Sequence, residues 1–310
     1  MMRVLQIDSN HPILKETLEQ AGFSVDDDFS SSYQEVLDKI ARYDGLIIRS
    51  RLPIDAHFLE KSSHLKFIAR VGAGMENIDV EKARSLNISL INSPEGNRDA
   101  VAEHVVGMLL LLMHRLKIAS IEVENGEWIR EGNRGDELLG KCVGLIGYGF
   151  MGKATAKRLS GFGVKVIFHD LIPGLSDEYA QQVSLDELFR QAEVISLHVP
   201  LTKLTHYLVD QKFIDAVENP FYLVNTARGL NVKTKDLVEG LRSGKIKGAA
   251  LDVLEYEKSS FENLSNNNED LQFLIDSDQV ILTPHIAGWT LQSKIKLASV
   301  IASKIIKAFS

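Results

Sequence analysis

The sequence predicts an α/β protein with two parallel-sheet domains, both of Rossmann-like or flavodoxin-like type. Three observations lead there. Short apolar runs alternate with helical stretches along most of the chain, and a strand can reach a parallel neighbour only through such a crossover. A length of 310 residues has room for about two domains with proper cores. A glycine-rich turn between an apolar run and a helical stretch stands near the middle, and a whole α/β unit precedes it.

The elements follow in order. Residues 3–8 (RVLQID) read as a first strand, and a helix from about 12 to 20 is stopped by Gly22. A helix over 33–41 leads to a strand at 45–49, one near 56–61 to a strand at 65–70, and one near 80–85 to a strand at 88–91. Asn92-Ser93-Pro94 ends this unit, with Pro94 as a hinge. Residues 99–117 read as one long helix, apolar around much of its circumference at 105–113, a pattern that buries a helix between domains or subunits. Residues 123–137 are polar and turn-rich.

The stretch 142–170, CVGLIGYGFMGKATAKRLSGFGVKVIFHD, is the most informative. An apolar strand at 143–146 is followed by Gly147, Gly149 and Gly152 as G-x-G-x-x-G, a helix over 153–160, a second strand at 164–168, and Asp170, 23 residues after Gly147. That context makes the motif specific for a dinucleotide. Gly147 permits the tight turn, Gly149 lets a pyrophosphate approach bare backbone, and Gly152 lets helix and strand pack closely. The helix N-terminus offers open N–H groups to the phosphates, including those of Phe150 and Met151. Asp170 would accept hydrogen bonds from the adenosine ribose and repel a 2′-phosphate, which argues for NAD over NADP.

After Asp170 the alternation resumes, with strands at 194–198, 221–225, 246–253 and 280–282 and helices near 185–191, 211–217, 234–243 and 290–309. Residues 258–278 read as a long surface loop with at most one helical turn. The net charge of −7, without a basic block, argues against nucleic acid as a partner. One cysteine, Cys142, excludes an internal disulfide framework and cysteine-based metal sites, and no metal is expected. The run 105–113 is too short to span a bilayer, and the N-terminus lacks a signal-type apolar core, so a cytoplasmic protein without a membrane partner is expected.

Arg228, Glu257 and His285 each follow an apolar strand, at the end where doubly wound sheets bind ligands. A cation, an acid and an imidazole suit hydride transfer to a 2-oxo acid. The cation orients the carboxylate and polarises the carbonyl, the imidazolium gives a proton to the developing alkoxide, and the carboxylate favours the charged imidazole.

The motifs VGAGMENID (71–79), AEH (102–104), GLIGYGFMG (144–152), LHVPLT (197–202), NTARG (225–229), ALDVLEYE (250–257) and TPHIAG (283–288) occur in this order. Through them the chain resembles the D-isomer-specific 2-hydroxyacid dehydrogenases, in particular the D-3-phosphoglycerate dehydrogenase branch. The resemblance implies that Arg228, Glu257 and His285 are the catalytic arginine, glutamate and histidine. It implies that Asp252 holds the nicotinamide carboxamide, and that His198, Val199, Pro200, Thr205, Thr226, Ala227 and Gly288 line the NAD site. Backbone N–H groups of Gly72, Ala73 and Gly74 would hold the substrate carboxylate, supported by Asn77. It also implies an NAD domain at 95–284 inserted into a substrate domain of 1–94 plus 285–310, and a homodimer built through the 99–117 helix.

IIRSR (47–51) resembles the strand end that phosphoglycerate dehydrogenases present to a 3-phosphate, and strand alternation would put Arg49 and Arg51 on one face. Arg134 would join them from a partner subunit. The expected reaction is therefore oxidation of 3-phospho-D-glycerate to 3-phosphohydroxypyruvate, the first step of serine biosynthesis. The alternatives are an unphosphorylated substrate (glyoxylate, hydroxypyruvate or D-lactate type) and an NAD-sensing binding protein. Two departures from the family pattern stand out: Phe150-Met151 replaces a basic–apolar pair, and Lys258 replaces a proline after Glu257. The 25 residues after His285 suit a short form without a C-terminal regulatory domain.

Overall fold

Strands β1 (Arg3–Gln6), β2 (Ser24–Asp27), β3 (Gly45–Ile48), β4 (Phe67–Arg70) and β5 (Ser89–Asn92) form a parallel sheet in the order β2-β1-β3-β4-β5. This is the flavodoxin-like order. The structure is a computed structural model that describes residues 1–257 and 269–310. Alternation along the strands sends successive side chains to opposite faces. Val4, Ile47, Phe67 and Ala69 face helix α1 (Ile13–Gln20) and the C-terminal helix. Leu5, Leu46, Ile48 and Ile68 face the side covered by α2 (Tyr33–Lys39), α3 (Ala56–Lys61) and α4 (Val80–Ser85). Each fully buried Leu, Ile or Phe of this kind contributes roughly 1.5–3 kcal/mol. The capping box of Ser32 and Glu35 and the caps by Asp55 and Asp79 start the three helices of the second face.

The chain divides into two compact units, residues 1–98 with 289–310, and residues 99–288. Helix α5 (Arg98–Met113) lies almost wholly in the second unit and is followed by α6 (Leu116–Glu124). The second sheet holds β6 (Cys142–Ile146), β7 (Lys165–His169), β8 (Gln181–Gln182), β9 (Val194–Leu197), β10 (Phe221–Asn225), β11 (Ile246–Leu251) and β12 (Val280–Leu282). Its order is β12-β11-β10-β9-β6-β7-β8, parallel throughout, with the reversal between β6 and β9. Helix α7 (Phe150–Leu159) and Val101, Val105, Met108, Leu109 and Leu112 of α5 cover one face. Helices α8 (Leu185–Gln191), α9 (Gln211–Ala216), α10 (Thr234–Arg242) and α11 (Glu269–Asp276) cover the other. Helix α12 (Leu291–Phe309) returns to the first unit, where Ala298, Ile301, Ala302 and Ile305 are buried.

Several elements depart from the sequence reading. Strand β2 was not expected, because its Ser-Val-Asp-Asp sequence buries only Val25 at the sheet edge; two-residue β8 lies at an edge too. The expected helix over 99–117 is two helices, broken at Arg115, whose φ of 54° is left-handed. The second of them extends into the stretch expected to be turns. Residues 269–276, expected within a loop, form α11, which buries Leu271 and Leu274. The rest of that expected loop, 258–268 with Lys258, lies outside the described residues. Among the described residues no single helix is long and apolar enough to cross a membrane.

Candidate active site

The turn after β6 is set by its glycines. Gly147 has φ of 93°, and a Cβ there would lie 2.6 Å from the His198 carbonyl oxygen. A Cβ on Gly152 would lie 2.3 Å from the Gly147 carbonyl oxygen, so only glycine lets α7 start against this turn. Around the Cβ position of Gly149 there is open space within 4 Å. Gly149 is the N-cap of α7 and provides no side-chain cap. The first N–H groups of the helix, at Phe150, Met151 and Gly152, therefore have no intrahelical acceptor. Asp170 is bound beside them, with Oδ2 accepting from Tyr148 N at 2.7 Å and Oδ1 from Ile172 N at 2.9 Å. Tyr148 is anchored by its ring on Phe168, 3.7 Å between centroids, and by its hydroxyl on Asp177.

The neighbouring strand ends complete this region. Val199 lies against Gly147, and the Nε2 of His198 pairs with the Ser196 hydroxyl at 3.0 Å. Burial pushes the His198 imidazole down to about 4, so it is neutral near pH 7. Thr205 was expected to line the dinucleotide site, but its hydroxyl donates to the Pro200 carbonyl at 2.6 Å and closes the 200–205 turn. Thr226 has a buried hydroxyl oxygen with no hydrogen-bond partner among the described residues, the kind of atom a ligand would satisfy. Open helix-end donors, an uncrowded glycine and this orphaned hydroxyl fit a dinucleotide. Phe150 is exposed beside the turn, and its backbone rather than its side chain shapes it.

At the end of β10, two buried amides frame Arg228. Asn225 accepts from Ala227 N at 3.0 Å and donates to the Arg228 carbonyl at 2.9 Å, while Asn231 accepts from Arg228 N at 3.1 Å. A Cβ on Gly229 would lie 1.9 Å from the Leu254 carbonyl oxygen, so the loops after β10 and β11 touch at a glycine. Leu254 N in turn donates to Glu257 Oε1, and Glu257 Oε2 lies 2.8 Å from His285 Nδ1. The two side chains are 14% and 26% exposed, enough to reach a substrate while largely shielded. Among the described residues no cluster of three or more His, Cys, Asp or Glu could hold a metal.

His285 has a φ of 56°, a left-handed backbone that a non-glycine residue adopts only when held there. Asp252 holds it. The Asp252 carbonyl accepts from His285 N, its Oδ1 from Ile286 N and its Oδ2 from Ala287 N, each at 2.8 Å. Three successive N–H groups thus converge on one residue, itself 1% exposed. Asp252 was expected to hold the cofactor; its carboxylate binds the turn that carries His285 and ends before Gly288.

The first unit treats its expected ligands unevenly. Strand β3 ends at Ile48, so the alternation assumed for Arg49 and Arg51 does not extend to them. Arg51 is turned inward: Nε donates to the Ile7 carbonyl at 2.8 Å, Nη2 to the Asp28 carbonyl at 3.1 Å, and Nη1 to the Ser31 carbonyl. Three backbone carbonyls thus hold the guanidinium that was expected to face a phosphate. Arg49 is different. Its guanidinium lies over the Trp289 ring, 4.5 Å from the centroid, and donates to no acceptor among the described residues. Burial lowers its pKa, which nearby Asp8 partly offsets.

Arg70 closes β4 directly before the 72–74 loop, and a Cβ on Gly72 would lie 1.8 Å from its Nη1. Sequence reasoning missed Arg70, although an arginine at a strand end directly before the glycines was a usable signal. The Ala73 carbonyl accepts from Asn92 Nδ2 at 2.7 Å, and Asn77 donates to the Leu52 carbonyl at 3.3 Å, which ties the loop to its neighbours. Arg134, in the second unit, is 77% exposed and pairs with Glu131 at 2.8 Å.

Comparison with known proteins bears on these features. Residues 106–287 match the family profile described as "D-isomer specific 2-hydroxyacid dehydrogenase, NAD binding domain". The chain is 36% identical over 273 residues to the hydroxypyruvate reductase of Thermotoga maritima, covering 88% of this chain and 87% of that protein. It is 32% identical to the D-3-phosphoglycerate dehydrogenase of Archaeoglobus fulgidus, covering 95% of this chain and 55% of that one. Among solved structures it is similar to the D-lactate dehydrogenase of Aquifex aeolicus complexed with NAD and lactic acid, with a TM-score of 0.84, 29% identity and 99% and 95% of the two chains covered.

Proposed function

The chain belongs to the D-isomer-specific 2-hydroxyacid dehydrogenases, NAD-dependent oxidoreductases acting on the CH–OH group of 2-hydroxy acids, and on that premise we propose that it reduces a small unphosphorylated 2-oxo acid, hydroxypyruvate or glyoxylate. The turn after β6, with the open N–H groups of Phe150, Met151 and Gly152, would hold NAD, which would supply the hydride in reduction and take it up in oxidation. His285 holds the proton. With Nδ1 against Glu257 at 2.8 Å, the ring presents Nε2 to the substrate oxygen, giving a proton in reduction and taking it in oxidation. Glu257 orients the ring and stabilises the imidazolium, and Arg228 steers the substrate carboxylate and polarises its carbonyl.

The His285–Glu257 contact carries the chemical reading. Replacing His285 by alanine is expected to lower kcat by about 10²–10⁴-fold while NADH still binds. Near-wild-type turnover in that variant would overturn it. Arg228→Ala is expected to remove most of kcat/KM, again with NADH binding kept.

The inward clamp of Arg51 carries the substrate reading, because it removes one of the two arginines that would receive a 3-phosphate. A second reading, 3-phosphoglycerate oxidation, keeps support from Arg49, whose guanidinium has no described acceptor, and from Arg70 with its Nε on the Arg49 carbonyl. Arg134 would add to it from a partner subunit. NADH-coupled assays with hydroxypyruvate, glyoxylate, pyruvate and phosphohydroxypyruvate separate the two. The first reading expects the highest kcat/KM on an unphosphorylated acid; a preference for phosphohydroxypyruvate, lost selectively in Arg49→Ala, would install the second.

The same reading includes a homodimer. Val106, Leu110 and Leu111 of α5 are only partly buried, and Leu116, Ile121, Val123, Trp128 and Ile129 beyond it are exposed. An apolar surface of this kind suits a second copy of the chain. Light scattering at twice the chain mass is the expected result.

A further inference from the structure

Asp252 grips the turn carrying His285, and a second histidine stands behind Asp252. The Thr283 hydroxyl oxygen lies 2.5 Å from Asp252 Oδ1. That carboxylate already accepts two N–H bonds, so the single hydroxyl proton points at it. The same hydroxyl oxygen lies 3.1 Å from His104 Nε2 and, with its proton committed, can only accept there. His104 therefore carries a proton on Nε2, whatever the state of Nδ1. The same nitrogen lies 3.6 Å from Asp252 Oδ1, too far for a hydrogen bond but close to the carboxylate. His104 sits in α5, and its side chain is 22% exposed.

We propose that His104 is a positioning residue for the proton-transfer step: through Thr283 and Asp252 it sets the orientation of the turn that presents His285. This rests on the reading of His285 as the acid–base group. The chain of contacts runs from His104 Nε2–H to Thr283 Oγ1, from its proton to Asp252 Oδ1, and from the Asp252 oxygens to the N–H groups of Ile286 and Ala287. An untethered carboxylate can rotate about its own axis and carry the 285–287 backbone with it. A displacement of about an ångström at an acid–base group is enough to cost on the order of a hundredfold in rate.

The test compares wild type with His104→Ala, His104→Gln, Thr283→Val and the His104→Ala/Thr283→Val double variant. The substrate is whichever of hydroxypyruvate, glyoxylate and phosphohydroxypyruvate the wild type turns over fastest. NADH affinity is followed by fluorescence and stability by Tm. His104→Ala should lower kcat on the order of tenfold to a hundredfold, with KM for the oxo acid and Kd for NADH unchanged within about twofold. Glutamine, which can place an N–H donor near the Nε2 position, should restore most of kcat. Thr283→Val should mimic the loss, and the double variant should be no slower than the slower single one, because both act on one path.

Wild-type kcat in His104→Ala, additive losses, or a kcat that follows Tm and is not rescued by glutamine would each overturn the proposal. His285→Ala separates the two levels. If it keeps turnover, the reading of the active site fails; if it is inactive while His104→Ala is normal, only the positioning role fails.

Discussion

The turn after β6 and the bend after β3 both lie at the C-terminal end of a parallel strand, yet they dispose of their polar groups in opposite ways. After β6 the donors are backbone N–H groups at the start of α7, left open because Gly149 offers no cap. After β3 the donors are guanidinium groups, and Arg51 has turned its own onto the carbonyls of Ile7, Asp28 and Ser31. A backbone donor is aimed by φ and ψ and cannot be redirected without remaking the turn. A guanidinium on a flexible stem reaches whatever acceptor is nearest, and at residue 51 that acceptor is its own domain.

Four substitutions can break or sharpen this contrast. Gly147→Ala should have the largest effect. Its left-handed φ and the carbonyl 2.6 Å from the new methyl should cost at least ~2 kcal/mol and weaken NADH binding more than tenfold in a fluorescence titration. Normal NADH affinity would show that the turn tolerates a side chain. Arg51→Ala comes next, with a loss of about 1.5–3 kcal/mol in urea unfolding and no change in the preference between phosphorylated and unphosphorylated acids. A selective loss on the phosphorylated acid would return Arg51 to the ligand side and end the contrast.

Arg49→Ala should do the reverse: a several-fold rise in KM for the acid, with stability changed by only ~0.5–1 kcal/mol from the lost stacking on Trp289. The smallest effect belongs to His198→Gln. The folded imidazole sits at about 4 against an ordinary 6.5, so the unfolded chain binds the proton more tightly. Stability should therefore be unaffected above pH 6.5 and decline as the pH falls from 6.5 toward about 4. The glutamine variant should show a shallower fall of Tm in that window, and an identical profile would remove His198 as its source.

Much of the architecture was legible. Strands at 194–198 and 221–225 match β9 and β10, because central strands of a parallel sheet are continuous apolar runs. The edge strand β2 was not, since it buries a single residue and carries no alternation to detect. The break at Arg115 was invisible for a related reason: the apolar pattern continues into α6 while the helix axis bends by 62° at one left-handed residue. At the site, Arg228, Glu257 and His285 could be named from their places after strands, whereas the links from Asp252 to Thr283 and His104 join positions 31 and 148 residues apart by the numbering.

The sequence by itself determined that the sheets are parallel and covered by helices, the glycine turn and its acid, and which polar residues stand at strand ends. Those features depend on local spacing and on what each backbone permits. Only the tertiary structure decided which donors stay available: that Arg51 is consumed, that Arg49 lies on Trp289, and that Asp252 clamps the left-handed turn of His285. The direction a long or charged side chain takes depends on acceptors brought near it by distant parts of the chain, and no local pattern encodes where those will be.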